Sequence, residues 1–275
     1  MDSAAPYPVL GIEVGGGTLL PLMLRYESCA VKEEVVANIT ATLKRGYSSL
    51  IPLLSEDPIG ECSIVGSAPS IEESWPHLKG TVFACNAAHD FLISKGVIPT
   101  YGMFWDADKV VSTMFTPHKA VTYLVASRCH PSVFEKLRGY KVIVWHPYAE
   151  EDPISDLLKE YGVDEPTICG GSAGVTRCAY LSAAMGYHTQ HWFGCDSSYS
   201  DGKSHYRPSA VNEELFRVYC GHEWFDTTRW LCGQIEDFKI IGPLMRALGA
   251  DITVNGRGLL PKVAKNLGFK VNFFY

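Results

Sequence analysis

From residue 62 onward the chain repeats one unit: a short β-branched or aromatic run, a turn of small residues, then a stretch with helical spacing. The runs are SIVG (63–66), TVFAC (81–85), YGMFWD (101–106), VTYLVA (121–126), KVIVWH (141–146), TICG (167–170), TQHWFGCD (189–196) and DITVNG (251–256). Helical spacing fills AAHDFLISKG (87–96), PSVFEKLRG (131–139), SDLLKEYG (155–162) and GVTRCAYLSAAMG (174–186). Parallel strands need crossovers long enough to hold a helix, so this alternation predicts an α/β, Rossmann-like protein. Its sheet should be mostly parallel, with helices on both faces.

Upstream, VKEEVVANITATLKRGY (31–47) has apolar residues at helical spacing and a glycine stop at Gly46. We therefore expect an N-terminal extension over 1–47 that ends in an amphipathic helix, and one domain over 48–275. The GGGT stretch at 15–18 lacks the Lys-Ser/Thr pair of a phosphate loop and is expected to be a turn.

A formal net charge of −6 argues against a general nucleic-acid binder, which presents a basic face. No apolar stretch approaches the ~20 residues of a membrane helix. The nine cysteines form no C-x-x-C pair and their number is odd. Several lie in apolar runs, where a thiol packs as a small hydrophobe, so reduced structural cysteines and a cytoplasmic location are expected. The partners expected are a small-molecule substrate and a nucleotide, with no membrane and no nucleic acid; the sequence leaves room for a homo-oligomer.

In parallel sheets ligands collect beyond the carboxyl ends of the strands, so the residues after each run hold the candidates. After the first comes Gly66-Ser67-Ala68-Pro69-Ser70, either a capped strand-to-helix turn or a cradle of N–H groups for an anion. After the second, Asn86 either caps the next helix or offers its amide to a base or ribose. After the third, Asp106 and Asp108 flank Ala107; two carboxylates on one face of a strand end share a divalent cation, and a solvated capping loop is the plainer alternative. A second small-residue turn, Gly170-Gly171-Ser172, leads into the Ala-rich helix. Beyond the seventh run, Asp196, Tyr199, Asp201, Lys203, His205 and Arg207 crowd one polar loop. His205 is its natural general base, and Tyr199 and Arg207 suit developing phosphate charge. The other histidines show no zinc spacing, and no G-x-S-x-G elbow is present.

In order, GSAPS (66–70), CNAA (85–88), GVIPTYGMFWDAD (96–108), GGSAG (170–174) and FGCDSSYSDGKSHY (193–206) resemble the 6-hydroxymethylpterin diphosphokinase MptE-like family, over roughly residues 35–260. The same layout is similar to motility accessory factors and to the bacterial sialyltransferase clan. Two departures stand out: Ala68 replaces the second glycine of G-x-G-P-S, and Lys109 replaces the glycine of an acidic D-x-D-G. The first resemblance implies Mg²⁺ on Asp106 and Asp108, ATP or a similar triphosphate cradled by the two turns, and diphosphoryl transfer to a hydroxymethyl heterocycle. The second implies a CMP-activated sugar such as a nonulosonate, with Asn86 and Ser172 at the nucleotide, Asp196 flanking it, His205 as base and Tyr199 steadying the leaving phosphate. A nucleotide-binding accessory protein without turnover is the third expectation.

Overall fold

The computed structural model describes residues 11–14, 18–21, 30–148, 153–206 and 214–274, the first two stretches by backbone alone. In chain order the strands are β1 Gly11–Val14, β2 Thr18–Pro21, β3 Ser48–Ser49, β4 Glu61–Val65, β5 Thr81–Cys85, β6 Tyr101–Phe104 and β7 Thr122–Ala126. They continue with β8 Lys141–Pro147, β9 Thr167–Ile168, β10 Thr189–Phe193, β11 Phe216–Cys220, β12 Glu223–Thr227, β13 Asp251–Asn255 and β14 Lys270–Asn272. The helices are α1 Lys32–Leu43, α2 Ile71–Ser74, α3 Ala88–Ser94, α4 Pro131–Lys136, α5 Ile154–Glu160, α6 Gly174–Ala184, α7 Arg229–Ala247 and α8 Leu259–Asn266.

The main sheet runs β14-β13-β10-β4-β5-β6-β7-β8-β3, with β9 also paired to β8, and every pairing in it is parallel. Alternate residues of one strand enter different apolar clusters, as a two-faced sheet requires. Ile64, Phe83 and Cys85 pack with Val175 and Cys178 of α6, whereas Val65 and Ala84 pack with Ile71, Phe91 and Leu92 of α2 and α3. The chain steps outward from β4 through β8, then returns to place β10 on the other side of β4. Strand order therefore reverses between β4 and β10.

A second sheet, β12-β11-β1-β2, is antiparallel. Its β11–β12 hairpin turns on Gly221 and His222, both at positive φ, the backbone of a tight two-residue hairpin turn. The helix expected over 31–47 is α1, which ends at Leu43 and packs Val35 and Ile39 against Ile154, Leu157 and Leu158 of α5. Most of the GGGT stretch lies outside the described residues. Every described cysteine is unbonded and all but Cys169 are buried. Among the described residues no helix is long and apolar enough to cross a membrane.

Candidate functional site at the strand ends

The turn after β4 lies where strand order reverses, and its backbone is already engaged. Gly66 N–H donates to the Phe193 carbonyl (2.8 Å) and Ala68 N–H to the Gly194 carbonyl (3.0 Å). Ser70 N–H donates to Asp196 Oδ2 (2.9 Å), and the Ser70 hydroxyl donates to Asp196 Oδ1. A Cβ on Gly66 would stand 2.3 Å from the Gly194 carbonyl oxygen, and one on Gly194, at φ +59°, would stand 2.4 Å from that of Gly66. Close backbone approach between β4 and β10 therefore requires both glycines. Ala68 is buried and its methyl is accommodated. Asp196 is 1% exposed; burial pushes its carboxyl up to about 7, against the opposing pull of Ser70 and Arg257.

The second small-residue turn repeats this arrangement. Ser172 N–H (2.5 Å) and Ser172 Oγ–H (2.7 Å) both donate to Asp237 Oδ2, which reaches in from α7. A Cβ on Gly171 would lie 2.3 Å from that same oxygen. Burial holds the Asp237 carboxyl above its ordinary value, opposed by the Ser172 bonds and by Arg177. Each turn does receive an anion, as a helix N-terminus favours. In both cases that anion is a carboxylate of the chain itself.

Asn86 follows β5 at φ +49° and donates its N–H to the Met103 carbonyl (3.2 Å). Its side chain lies beside Gly174, the first residue of α6, and its Oδ1 is buried without a hydrogen-bond partner. Trp105, buried just past β6, carries the Arg128 guanidinium at 5.0 Å and that of Arg177 at 4.7 Å from its ring centre. Arg177 also donates to the Tyr148 carbonyl (2.6 Å).

The expectation that Asp106 and Asp108 share one face of a strand needs correction, because β6 stops at Phe104 and both carboxylates lie in the turn beyond it. Asp106 Oδ1 accepts the Asp108 N–H (3.2 Å), and Asp108 Oδ1 accepts the Val110 N–H (2.8 Å), capping the 3-10 turn over Lys109–Thr113. Capping chemistry is what the sequence alternative described. The pair still offers hard oxygen donors of the kind Mg²⁺ takes together with waters and phosphates. Among the described residues no group of three His, Cys, Asp or Glu side chains gathers as a metal cage.

The loop after β10 divides. Tyr199 N–H donates to the Asp226 carbonyl (2.7 Å), fastening that end to β12. Tyr206 N–H donates to the Ser67 carbonyl (2.9 Å) and its hydroxyl to the Ala87 carbonyl (3.1 Å). His205 is thereby held over the ends of β4 and β5, with Nδ1 2.9 Å from Ser204 Oγ. The structure thus brings Ser67, Asn86 and His205 to one stretch of the sheet edge, while Asp196 lies beneath it. Arg207 lies outside the described residues.

Sequence reasoning passed over the ends of β7 and β8. Ser127 is fully buried, and His146 is 3% exposed with Nε2 3.6 Å from Glu165 Oε2. Burial lowers the His146 imidazole to about 4. The strand-end rule itself points to both residues; each was hidden because it continues an apolar run without a turn. Asp237 had no such signal, since its partner is 65 residues away. A pocket of about 460 Å³, lined by Arg45, Tyr47, Glu135, Arg138 and Tyr140, lies at the opposite, amino-terminal edge of β8. Its charges pair with one another through Glu135.

A parallel sheet with reversed strand order and polar side chains ranged along its carboxyl edge defines a Rossmann-like α/β protein. The 6-hydroxymethylpterin diphosphokinase MptE-like family profile matches residues 33–202, and the chain belongs to that family. Among solved structures it is similar to the MAf glycosyltransferase from Magnetospirillum magneticum AMB-1, at 16% identity and a TM-score of 0.61. That likeness covers 90% of this chain and 39% of the other, so the chain spans about two fifths of its length. A mammalian sialyltransferase follows at 11% identity and a TM-score of 0.38, over 91% of this chain and 81% of that one. A search of curated proteins gave no match.

Proposed function

We propose that the chain is a nucleotide-dependent transferase that moves a diphosphoryl group from a nucleoside triphosphate to a small hydroxymethyl acceptor of pterin-like chemistry. The family supports this, and one observation carries it: a buried, unpartnered Asn86 Oδ1 beside the start of α6, one strand from the Asp106–Asp108 pair. An amide acceptor suits a nucleoside hydroxyl or amine, and hard carboxylates suit Mg²⁺ on a diphosphate. Because Asp196 and Asp237 occupy the two turns, phosphate charge falls to the metal rather than to those N–H groups. His205, held over β4 and β5, is the base that takes the acceptor proton.

Transfer from a nucleotide-activated sugar is the second reading, favoured by the shared fold with a glycosyltransferase and by the Tyr199–His205 loop. Thermal shift with ATP, GTP, CTP and CMP, each with and without Mg²⁺, separates the two. Diphosphoryl transfer predicts stabilisation by a triphosphate only with Mg²⁺, lost in Asp106→Ala. Stabilisation by CMP without metal would instead move the assignment to sugar transfer. Binding without turnover, unaffected by His205→Ala, would leave an accessory protein.

A further inference from the structure

Ser127 Oγ and His146 Nδ1 are among the buried polar atoms at the carboxyl edge that have no hydrogen-bond partner. They are neighbours. The Ala126–Trp145 pair ends the ladder between β7 and β8, closed by the Ser127 N–H donating to the Trp145 carbonyl (2.9 Å), so Ser127 and His146 are the next residues along the two strands. Residues at one register of adjacent parallel strands point to the same face, with backbones about 4.8 Å apart. On the far side His146 pairs with Thr167 of β9, so a hydroxyl, an imidazole and a second hydroxyl form a row across three strands.

Above this row lies α1. Asn38 Nδ2 donates to the carbonyls of Ala107 (3.3 Å) and Arg128 (3.2 Å), which tethers the helix across the loops after β6 and β7. Leaving buried polar atoms unsatisfied is costly, and native proteins satisfy such atoms with water or ligand. Glu165 lies beside His146 Nε2, which favours the proton on that nitrogen and leaves Nδ1 as a bare acceptor.

We infer that Ser127 and His146, roofed by α1, form a polar chamber that takes the hydrogen-bonding edge of a planar heterocycle, with an ordered water there in the resting protein. The ligand part rests on the function proposed above. Nucleobase and acceptor ring share this chemistry, and separate titrations distinguish them.

A crystal structure of the full chain, at a resolution that shows ordered water, tests the chamber irrespective of function. One oxygen within hydrogen-bond reach of both Ser127 Oγ and His146 Nδ1 is expected. Finding both atoms bonded to protein groups, with no oxygen between them, would overturn the chamber. For the ligand, Ser127→Ala and His146→Gln are titrated with ATP and CMP by calorimetry and with 6-hydroxymethylpterin by fluorescence. At least a tenfold loss of affinity for one class, with the melting temperature of Ser127→Ala near that of the parent, is expected. Loss for nucleotides assigns the nucleobase, and loss for the pterin assigns the acceptor ring. Unchanged affinity for both overturns the ligand assignment while the parent's binding upholds the proposed function. A parent chain that binds neither sinks both readings and leaves the water site to be judged by the crystal.

Discussion

At the scale of single residues, Asp196 and His146 at the carboxyl edge pull stability in opposite directions with pH. Asp196 is raised from 3.8 to about 7, so the folded state holds its proton more tightly than the unfolded chain does. Its contribution is most favourable below about pH 4 and is lost as pH rises through 7, by roughly 4 kcal/mol at most. His146 is lowered from 6.5 to about 4; its contribution is complete above 6.5 and is lost as pH falls through 4. Denaturant unfolding between pH 4 and 7 should therefore show the Asp196→Asn chain gaining stability with pH relative to the parent, and the His146→Gln chain losing it. Parallel profiles for parent and Asp196→Asn would mean that the carboxylate is not buried. Gly66→Ala tests the contact between β4 and β10. Its methyl would meet backbone at 2.3 Å, so a loss of about 1–3 kcal/mol is expected in the same assay.

At the scale of elements, what the chain revealed was the strand-and-helix alternation, and for a local reason. β5 over Thr81–Cys85 and the start of α6 at Gly174 coincide with the sequence expectation, because apolar runs and small-residue turns are local signals. Strand ends were read too long where polar residues continue a run, as at Asp106 and Asp196, which lie beyond β6 and β10. Helix α7 went unread because Gly233, Gly242 and Pro243 break its pattern; packing of Ile235, Phe238 and Met245 into the core overrides that propensity. The attachment of α1 was equally invisible, since Asn38 bonds carbonyls 69 and 90 residues away. Asn38→Ala should cost about 1–3 kcal/mol and lower hydrogen-exchange protection in α1 while β4–β7 keep theirs. Equal loss throughout the sheet would show that α1 is not separately held.

At the scale of the whole molecule, the family match stops at residue 202, yet the main sheet does not. β13 and β14 extend it beyond β10, and α7 supplies the Asp237 that fills the turn before α6. A chain ending at residue 202 should therefore lose cooperative thermal unfolding by circular dichroism. A sharp transition near the parent's would show that the matched region folds alone.

The order of apolar runs, turns and helical stretches, by itself, determined an α/β fold with a parallel sheet and which residues follow its strands at the carboxyl edge, because those signals act within a few residues. Only the tertiary structure decided which polar groups at that edge are already used. Ser70 meets Asp196 across 126 residues and Ser172 meets Asp237 across 65, while Ser127 Oγ and His146 Nδ1 are buried and unpartnered. Whether a buried charge or hydroxyl holds the fold or awaits a ligand depends on its partner in space, and spacing along the chain does not record that partner.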